Sequence, residues 1–308
     1  VVRPITGCVN AVSTGTAVLV KNTTDYLDTY YTATGAGAVS NIGPFIAREA
    51  GTLGNSLKIS MCTNSTAFGP HSMSGNLVAD ASAAIGDTTI SVDDGGLMQV
   101  GDILEFGDAA ATPSPDGAPS GFYYKITAIS TNLLTIARFN PATGTTESGG
   151  LRHAVVDNAK ILRHWEYFFN FANAPTTSDD VSAAGGSLDE MHIAVIDEDG
   201  SISGTTGTIL ETFEGVSQAT DAKTATGASN YYPNVLYAQS KFIYWVDHLA
   251  TLSDGLAKTG TTFDNSVGDA FVVSSTSLAS GTDDFTATNA EIATAYEKFN
   301  DAENVDLS

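Results

Sequence analysis

The chain has 308 residues, of which 42% are hydrophobic and 16% are charged, so it is long enough to bury one or two cores. Its 35 acidic residues outnumber 13 basic ones, and the formal net charge of −22 argues against direct nucleic-acid binding, because phosphates would be repelled. Two cysteines are too few for a disulfide framework, and no run approaches the roughly twenty apolar residues that membrane insertion requires.

Residues 1–76 are predicted to be the first part of a discontinuous α+β domain. A strand is expected at 17–22, "AVLVKN". A second is expected over the last seven residues of "FIAREAGTLGNSLKISMC" (45–62), where a Gly-Asn turn leads into it.

Residues 77–153 are predicted to form an inserted, small, barrel-like all-β module. Residues 88–106 have the pattern of a strand, an Asp-Asp-Gly-Gly turn and a second strand. Residues 122–130 and 132–139 add two β-rich runs that a Thr-Asn turn joins. The segment 107–121, which lies between the strands of 88–106 and the run at 122–130, is rich in Pro, Gly and Ala and is expected to be an exposed excursion.

Residues 154–308 are predicted to complete the α+β domain. The apolar runs 190–196 and 240–246 have the length of strands, and 230–240 is expected to be a short helix with Pro233 near its first turn. The segment 159–172 fits either a helix or a strand.

The strongest helix prediction is "TNAEIATAYEKF" (288–299). Thr288 and Glu291 have the spacing of a capping box. One face of this helix is apolar and is expected to pack against a sheet; it carries Ile292, Ala295, Tyr296 and Phe299.

The acidic stretch "VIDEDGSISG" (195–204) allows a calcium loop or a hairpin turn. In an EF-hand register Val195 and Thr206 fall at the first and last ligand positions, where neither can act as the loop requires. A tight turn between two strands, the second at 201–204, is therefore favoured over a weak surface cation site. The stretch "SVDDGG" (91–96) allows the same two interpretations.

No motif indicates catalysis, so we expect no enzyme activity, no cofactor and no metal. The five histidines have no metal-ligand spacing, and His164 and His248 are expected to be packed or hydrogen-bonded structural residues. No G-x-S-x-G elbow occurs, and "GLAKTGTT" (255–262) lacks the lysine that must follow the second glycine of a P-loop.

Two colinear regions resemble the tail sheath proteins of phages with contractile tails. Residues 187–248 contain, in order, a D-E-x-H strand, a D-x-D-G turn, a G-T-x-L-E run, a V-S-x-A-x-D-A-K segment and an N-Y-Y…S-K-x-I-x-W stretch. Residues 47–62 carry an A-R-x-x-G-x-x-G-N-S-L signature, and "LASGTDD" (278–284) lies where sheaths have a glycine-rich turn before a helix. The module 77–153 resembles the insertion domains of sheath subunits.

The resemblance implies a structural subunit of a phage virion, assembled in the host cytoplasm. Its partners would be other copies in sixfold rings and a helical sheath, the tail tube protein, and the baseplate and tail terminator proteins. Contraction of such a sheath drives the tube through the host envelope for genome ejection. Compared with that family, the chain is expected to be a fragment that lacks a C-terminal tube-contacting core domain and the exchanged arms.

Such a function depends on interface charges rather than on a catalytic pocket. The candidates are the acidic Asp197, Glu198 and Asp199 and the basic Arg48, Lys223 and Lys241; solvated surface charge is the alternative for each one. An alternative function is a tail-associated adhesin or decoration protein that binds host glycans, which the β module and many Ser and Thr residues motivate.

Overall fold

A computed structural model describes residues 7–31, 42–80, 83–107, 121–249, 252, 255–263, 273–286 and 288–297. In these residues the chain is a mixed α and β protein in which strands predominate. The strands are β1 (Asn10–Val12), β2 (Phe45–Ala50), β3 (Leu57–Cys62), β4 (His71–Leu77), β5 (Thr89–Ser91), β6 (Ile103–Phe106), β7 (Tyr123–Ser130), β8 (Leu133–Asn140), β9 (Thr145–Glu147), β10 (Lys160–His164), β11 (Glu190–Asp197), β12 (Thr208–Ser217), β13 (Ile243–Trp245) and β14 (Val273–Ser277). The α-helices are α1 (Thr23–Asp25), α2 (Ser65–Phe68), α3 (Asp179–Ala183), α4 (Tyr232–Gln239) and α5 (Asn289–Glu297). Shorter helical turns are the π-helical Tyr26–Tyr30 and the 3-10 turns Thr52–Ser56, Gly95–Leu97 and Phe168–Asn170.

The chain divides into two compact units. Unit 1 comprises Val1–Ser60, Ile193–Lys258 and Ser274–Ser308; unit 2 comprises Met61–His192 and Thr259–Val273. The chain passes between the units four times: within β3, within β11, between residues 258 and 259, and within β14. The division into 1–76, 77–153 and 154–308 stays a prediction.

Unit 1 contains a three-stranded sheet of order β1-β2-β13, and the four-stranded sheet of order β12-β11-β3-β14 lies mainly in this unit. In the first sheet β2 pairs antiparallel with both neighbours, and Ile46 lies opposite Tyr244 on β13. The Tyr26 ring stacks on that of Tyr244 at 4.0 Å between centroids, and the Tyr26 hydroxyl donates to the Trp245 carbonyl at 2.6 Å. These buried aromatic residues fix β13 against the preceding helical turns.

A buried polar network lies where α4 meets β13. Trp245 Nε1 donates to the Tyr232 hydroxyl at 3.0 Å, and the His248 ring lies between the hydroxyls of Tyr231 and Tyr232. At most 9% of each of these residues is exposed. His248 is therefore a hydrogen-bonded structural residue, as the sequence predicted.

Unit 2 is built on a seven-stranded antiparallel sheet. Its order is β4-β10-β6-β7-β8-β5, and β9 pairs with β8. Beyond the outer strands, Ala79 N donates to Ser91 O at 2.9 Å and Asp93 N to Leu77 O at 3.0 Å, but the described strands do not form a closed ladder. One face of the sheet covers an apolar core that contains Val78, Ile90, Leu104, Phe106, Tyr124, Ile126, Leu134, Ile136, Leu151 and Ile161.

Two buried pairs of polar side chains join β10 to β6 and to the residue before it. Arg163 Nη2 lies 2.6 Å from Asp102 Oδ2, and His164 Nε2 lies 2.8 Å from Glu105 Oε1. All four residues are at most 4% exposed. Burial raises the pKa of Asp102 to about 6 despite the neighbouring guanidinium, and burial lowers the pKa of Arg163. His164 is thus structural, as predicted.

Most long predicted elements are present. β3, β11, β13 and α4 occur where the sequence predicts them, and a two-residue turn, Thr131-Asn132, joins β7 to β8. The capping box of α5 is confirmed, because Glu291 N donates to Thr288 Oγ1 at 3.3 Å and Thr288 N donates to Glu291 Oε2 at 2.8 Å. The ambiguous 159–172 segment begins as strand β10 and continues in turns.

Three strand predictions are wrong in detail. Residues 17–22 contribute a single bridge, Val18 to Asn10, because the short buried β1 takes the sheet position instead. The strands on either side of 91–96 do not form a hairpin, since β5 pairs with β8 and β6 with β7 and β10. β11 and β12 are hydrogen-bonded neighbours in one sheet, as the two-strand interpretation of 195–204 predicts, but a ten-residue loop, 198–207, replaces the tight turn, and the second strand begins at Thr208 rather than within 201–204.

The predicted packing of α5 is also wrong for its described side chains. Ile292 is 40% exposed and Tyr296 is 67% exposed. The capping-box spacing determines where the helix begins, and it carries no information about what the apolar face contacts. Phe299 lies outside the described residues, as does most of the predicted excursion 107–121.

Candidate functional site

Unit 1 contains an apolar pocket of about 120 Å³. Leu53, Ile202 and Phe242 contribute apolar groups to its lining, and the two charged lining residues, Glu49 and Lys241, are exposed. The remaining lining residues are Ala47, Gly54 and Leu57. Because Leu53 is 56% exposed, the pocket opens to the surface.

The base of the pocket is formed by β2, the following 3-10 turn and the start of β3. Gly54 allows the turn to lie close to its neighbours, because a Cβ at this position would be 2.7 Å from the Ala47 Cβ. Leu57 is 2% exposed and belongs to the core of the unit. The backbone of this turn therefore leaves Leu53 projecting outward while Leu57 packs inward.

The 198–207 loop supplies Ile202, and Asp197 fixes the loop's conformation. Asp197 is fully buried; its carboxylate accepts from Ile202 N at 3.0 Å, from Gly200 N at 3.1 Å and from the amide and hydroxyl of Ser203. The Ser56 hydroxyl lies against the carboxylates of both Asp197 and Asp199. One buried side chain thus satisfies three loop amides, as an Asx turn does.

These hydrogen bonds determine the protonation states of Asp197 and Asp199. Burial alone would raise the pKa of Asp197, but hydrogen bonds from Ser56 and Ser203 outweigh it and lower the pKa to about 2. Hydrogen bonds from Ser56 and Ser201 also lower the pKa of Asp199. Both side chains are ionised carboxylates at neutral pH, and both Asp197 oxygens accept hydrogen bonds from residues of the same chain.

Arg48 holds the opposite side of the pocket. Its Nε donates to the Ile243 carbonyl at 3.3 Å, its Nη2 donates to the Tyr237 carbonyl, and its backbone N donates to the Phe242 carbonyl at 2.8 Å. The guanidinium carbon lies 4.4 Å from the centroid of the Tyr244 ring. Arg48 therefore positions the connection from α4 to β13, which carries Phe242.

Glu211 on β12 anchors the same connection. Its carboxylate accepts from Ser240 Oγ at 2.7 Å and from Lys241 N at 2.7 Å. The Lys241 side chain is exposed and forms no ion pair within the described part of the chain. A basic group thus stands beside an apolar pocket in a strongly acidic protein.

The six predicted interface charges are not one cluster. Asp197 is buried and Arg48 is half-buried, and both shape the pocket, while Lys241 lies on its lining. Glu198 and Asp199 are exposed on the adjacent loop. Lys223 is exposed in a separate turn, where its backbone bridges to Ser229. A role in subunit contacts stays a prediction for all six.

Sequence reasoning missed the apolar residues of this site. Leu53 lies between two glycines in "AGTLGNS", and Ile202 follows an acidic turn, so each is an apolar residue in a segment with turn composition. Such isolated positions were a usable signal, because loops usually expose polar side chains. Phe242 carried no comparable signal, since it lies within a run that reads as a buried strand.

The mostly apolar lining suits recognition of an apolar group. In the residues covered by the structure, no three His, Cys, Asp or Glu side chains converge in a way that could hold a metal ion. None of the described helices has the length and apolar character needed to cross a membrane.

Comparison with known families finds no matching family model, and comparison with curated proteins finds no match. Membership of the sheath family therefore remains a proposal.

Proposed function

We propose that this chain is a structural subunit of a phage contractile tail sheath, which polymerises around the tail tube. The observation that supports this most is the convergence of the sheath-like segments on one pocket. The lining residues come from the 47–57 signature, from the D-x-D-G turn through Ile202, and from the S-K-x-I-x-W stretch through Lys241 and Phe242. Residues that carry a family resemblance and meet at one exposed site are expected to serve a common function.

The β-rich module is part of the proposal. All strands of the seven-stranded sheet fall between residues 71 and 164, outside the sheath-like segments. We assign the strands between residues 77 and 153 to an inserted, barrel-like module on the outside of the sheath; β4 and β10 extend the same sheet beyond that range. The Val78–Val92 bridge, which links the ends of the two outermost strands, supports the barrel-like character.

In this function no cofactor or covalent step is needed. Two packing arrangements of rigid units that differ by about a few kcal/mol per subunit release a large free energy when many copies change together. The subunits would assemble in the host cytoplasm and act in the virion, with the tail tube, baseplate and tail terminator as partners. Contraction would drive the tube through the host envelope and allow genome ejection.

Electron microscopy tests the proposal. The full natural chain is expressed alone and together with its tail tube protein, and each sample is imaged in negative stain across a range of salt concentrations. Hollow striated tubes with sixfold end views are the expected result. Dispersed particles at every salt concentration, with tube protein present, would contradict the sheath function; saturable binding to host glycans would then favour the adhesin.

A further inference from the structure

The most exposed large apolar side chain among the described residues also belongs to unit 1. Phe285 is 89% exposed, and it does not line the pocket of its own chain. A solvated phenyl ring on a monomer is unfavourable, since its apolar surface stays in contact with water. Exposed aromatic residues of this kind are typical anchors of protein interfaces.

The backbone on either side of Phe285 is held in place. The Asp283 carboxylate accepts from the amide and hydroxyl of Thr52, and the Asp284 carboxylate accepts from Thr286 N at 2.9 Å and Thr286 Oγ1 at 2.7 Å. The ring is therefore presented from a preorganised segment, which lowers the entropic cost of inserting it into a partner. The same bonds explain why the ring stays outside its own pocket.

The pocket is apolar and of suitable size for this side chain, and Lys241 on its lining can pair with a carboxylate next to the ring. A cavity of about 150 Å³ lined by aliphatic and aromatic residues binds benzene. This pocket, at about 120 Å³, is somewhat smaller and open to the surface, so an inserted phenyl ring would leave part of its edge outside. Phe285 is preceded by Asp283 and Asp284, and the pocket lining carries one exposed ammonium, Lys241, and one exposed carboxylate, Glu49. The Glu211 carboxylate beside Lys241 is already bonded to Ser240 and to the Lys241 amide.

We propose that the pocket receives Phe285 from a second copy of this chain, with Lys241 of the first copy facing Asp284 of the second. This inference rests on the proposed function, because it specifies how two sheath subunits meet. The sixfold rings and helical sheath of the proposed function require this contact to be heterologous: each copy accepts one neighbour and inserts into another. Such a contact generates rings or helical filaments rather than closed twofold dimers.

The test uses two complementary variants of the full chain. Phe285→Ala removes the inserted ring and keeps the pocket, whereas Leu53→Glu places a charge in the pocket and keeps the ring. Each variant alone is expected to lower self-association at least about tenfold in sedimentation velocity. The matched control is Tyr296→Ala, which removes another exposed aromatic side chain of unit 1 and is expected to leave association unchanged. Circular dichroism establishes that each variant is folded.

Mixing the two variants gives the decisive result. The ring of the Leu53→Glu chain can enter the pocket of the Phe285→Ala chain, so the mixture should form one-to-one heterodimers that grow no further. If both single variants form assemblies of the same size as the wild-type chain, this inference is overturned and the sheath function is unaffected. Loss of tube binding with intact self-association would assign the pocket to the tube protein and overturn it too. Failure of the wild-type chain to assemble even with tube protein would overturn both proposals.

Discussion

Replacement of Asp197 by asparagine should destabilise unit 1 and loosen the loop that carries Ile202. The Asp197 carboxylate has two groups of donors: Ser56 and Gly200 on Oδ1, and Ile202 and Ser203 on Oδ2. An asparagine has one oxygen, so its NH₂ group must face one of these groups and cannot accept from it. Two hydrogen bonds to a charged group, each contributing roughly 1.5 kcal/mol, would be lost, which gives about 3 kcal/mol.

The pH dependence of stability should change as well. The folded-state pKa of Asp197 is about 2, below its ordinary value of 3.8, so the carboxylate stabilises the fold above pH 3.8 and this contribution is lost as the pH falls through 2. The asparagine variant has no such group. The stability difference between the two proteins should therefore shrink between about pH 4 and pH 2.

Amide hydrogen exchange measures the effect locally, which is necessary because a chain of two units need not unfold in one step. The amides of Ile202 and Ser203 should exchange faster in Asp197→Asn, and chemical denaturation should give the global loss. Glu198→Gln is the matched control: this side chain is exposed, and its replacement should change stability by less than about 0.5 kcal/mol. Equal exchange rates and equal stability in the two variants would refute the assigned role of Asp197.

Other residues make separate predictions. Arg163→Met should cost unit 2 about 3–5 kcal/mol in denaturant unfolding, since it leaves Asp102 buried without its partner, and adding Asp102→Leu should recover most of that loss. Burial raises the pKa of Asp102 to about 6, so the protonated side chain contributes its full stabilisation below pH 3.8, and this contribution is lost as the pH rises through 6. In thermal melts at several pH values, Asp102→Asn should abolish this dependence. Glu291→Ala should destabilise α5 by about 1 kcal/mol, which should appear as faster amide hydrogen exchange in the first turn of the helix. Unchanged exchange would show that the capping box does not stabilise the helix. Tyr232→Phe should leave the Trp245 indole N–H without its acceptor and cost about 1–3 kcal/mol, measured by unfolding followed through tryptophan fluorescence; an unchanged midpoint would contradict the network.

The sequence was most informative where the structure depends on neighbouring residues. The β7–β8 hairpin follows from two alternating runs and a Thr-Asn turn, and Thr131 adopts the left-handed conformation with φ of 54°. The α5 cap follows from the three-residue spacing of Thr288 and Glu291. In both cases the residues that determine the element lie within a few positions of each other.

Pairing over long distances was not accessible in the same way. β5 and β6 are adjacent in sequence and have good strand composition, yet β5 pairs with β8 because the sheet places β7 and β8 between them. The pocket depends on contacts of the same kind: the Arg48 guanidinium reaches carbonyls that are 189 and 195 residues away in the chain. Local composition carries no information about which distant backbone oxygen a side chain will meet.

The positions of the charged residues suggest how an acidic chain can associate with its own copies. At a net charge of −22 each copy repels the next, and an exposed ion pair contributes only about 0–1 kcal/mol. Burial of one phenyl ring contributes more, about 1.5–3 kcal/mol, and it does not weaken when salt screens the repulsion. In the proposed contact the ring therefore supplies most of the affinity, and Lys241 orients the partner. Arg48 and Asp197 act indirectly: through their internal hydrogen bonds they hold Phe242 and Ile202 in the positions that shape the pocket.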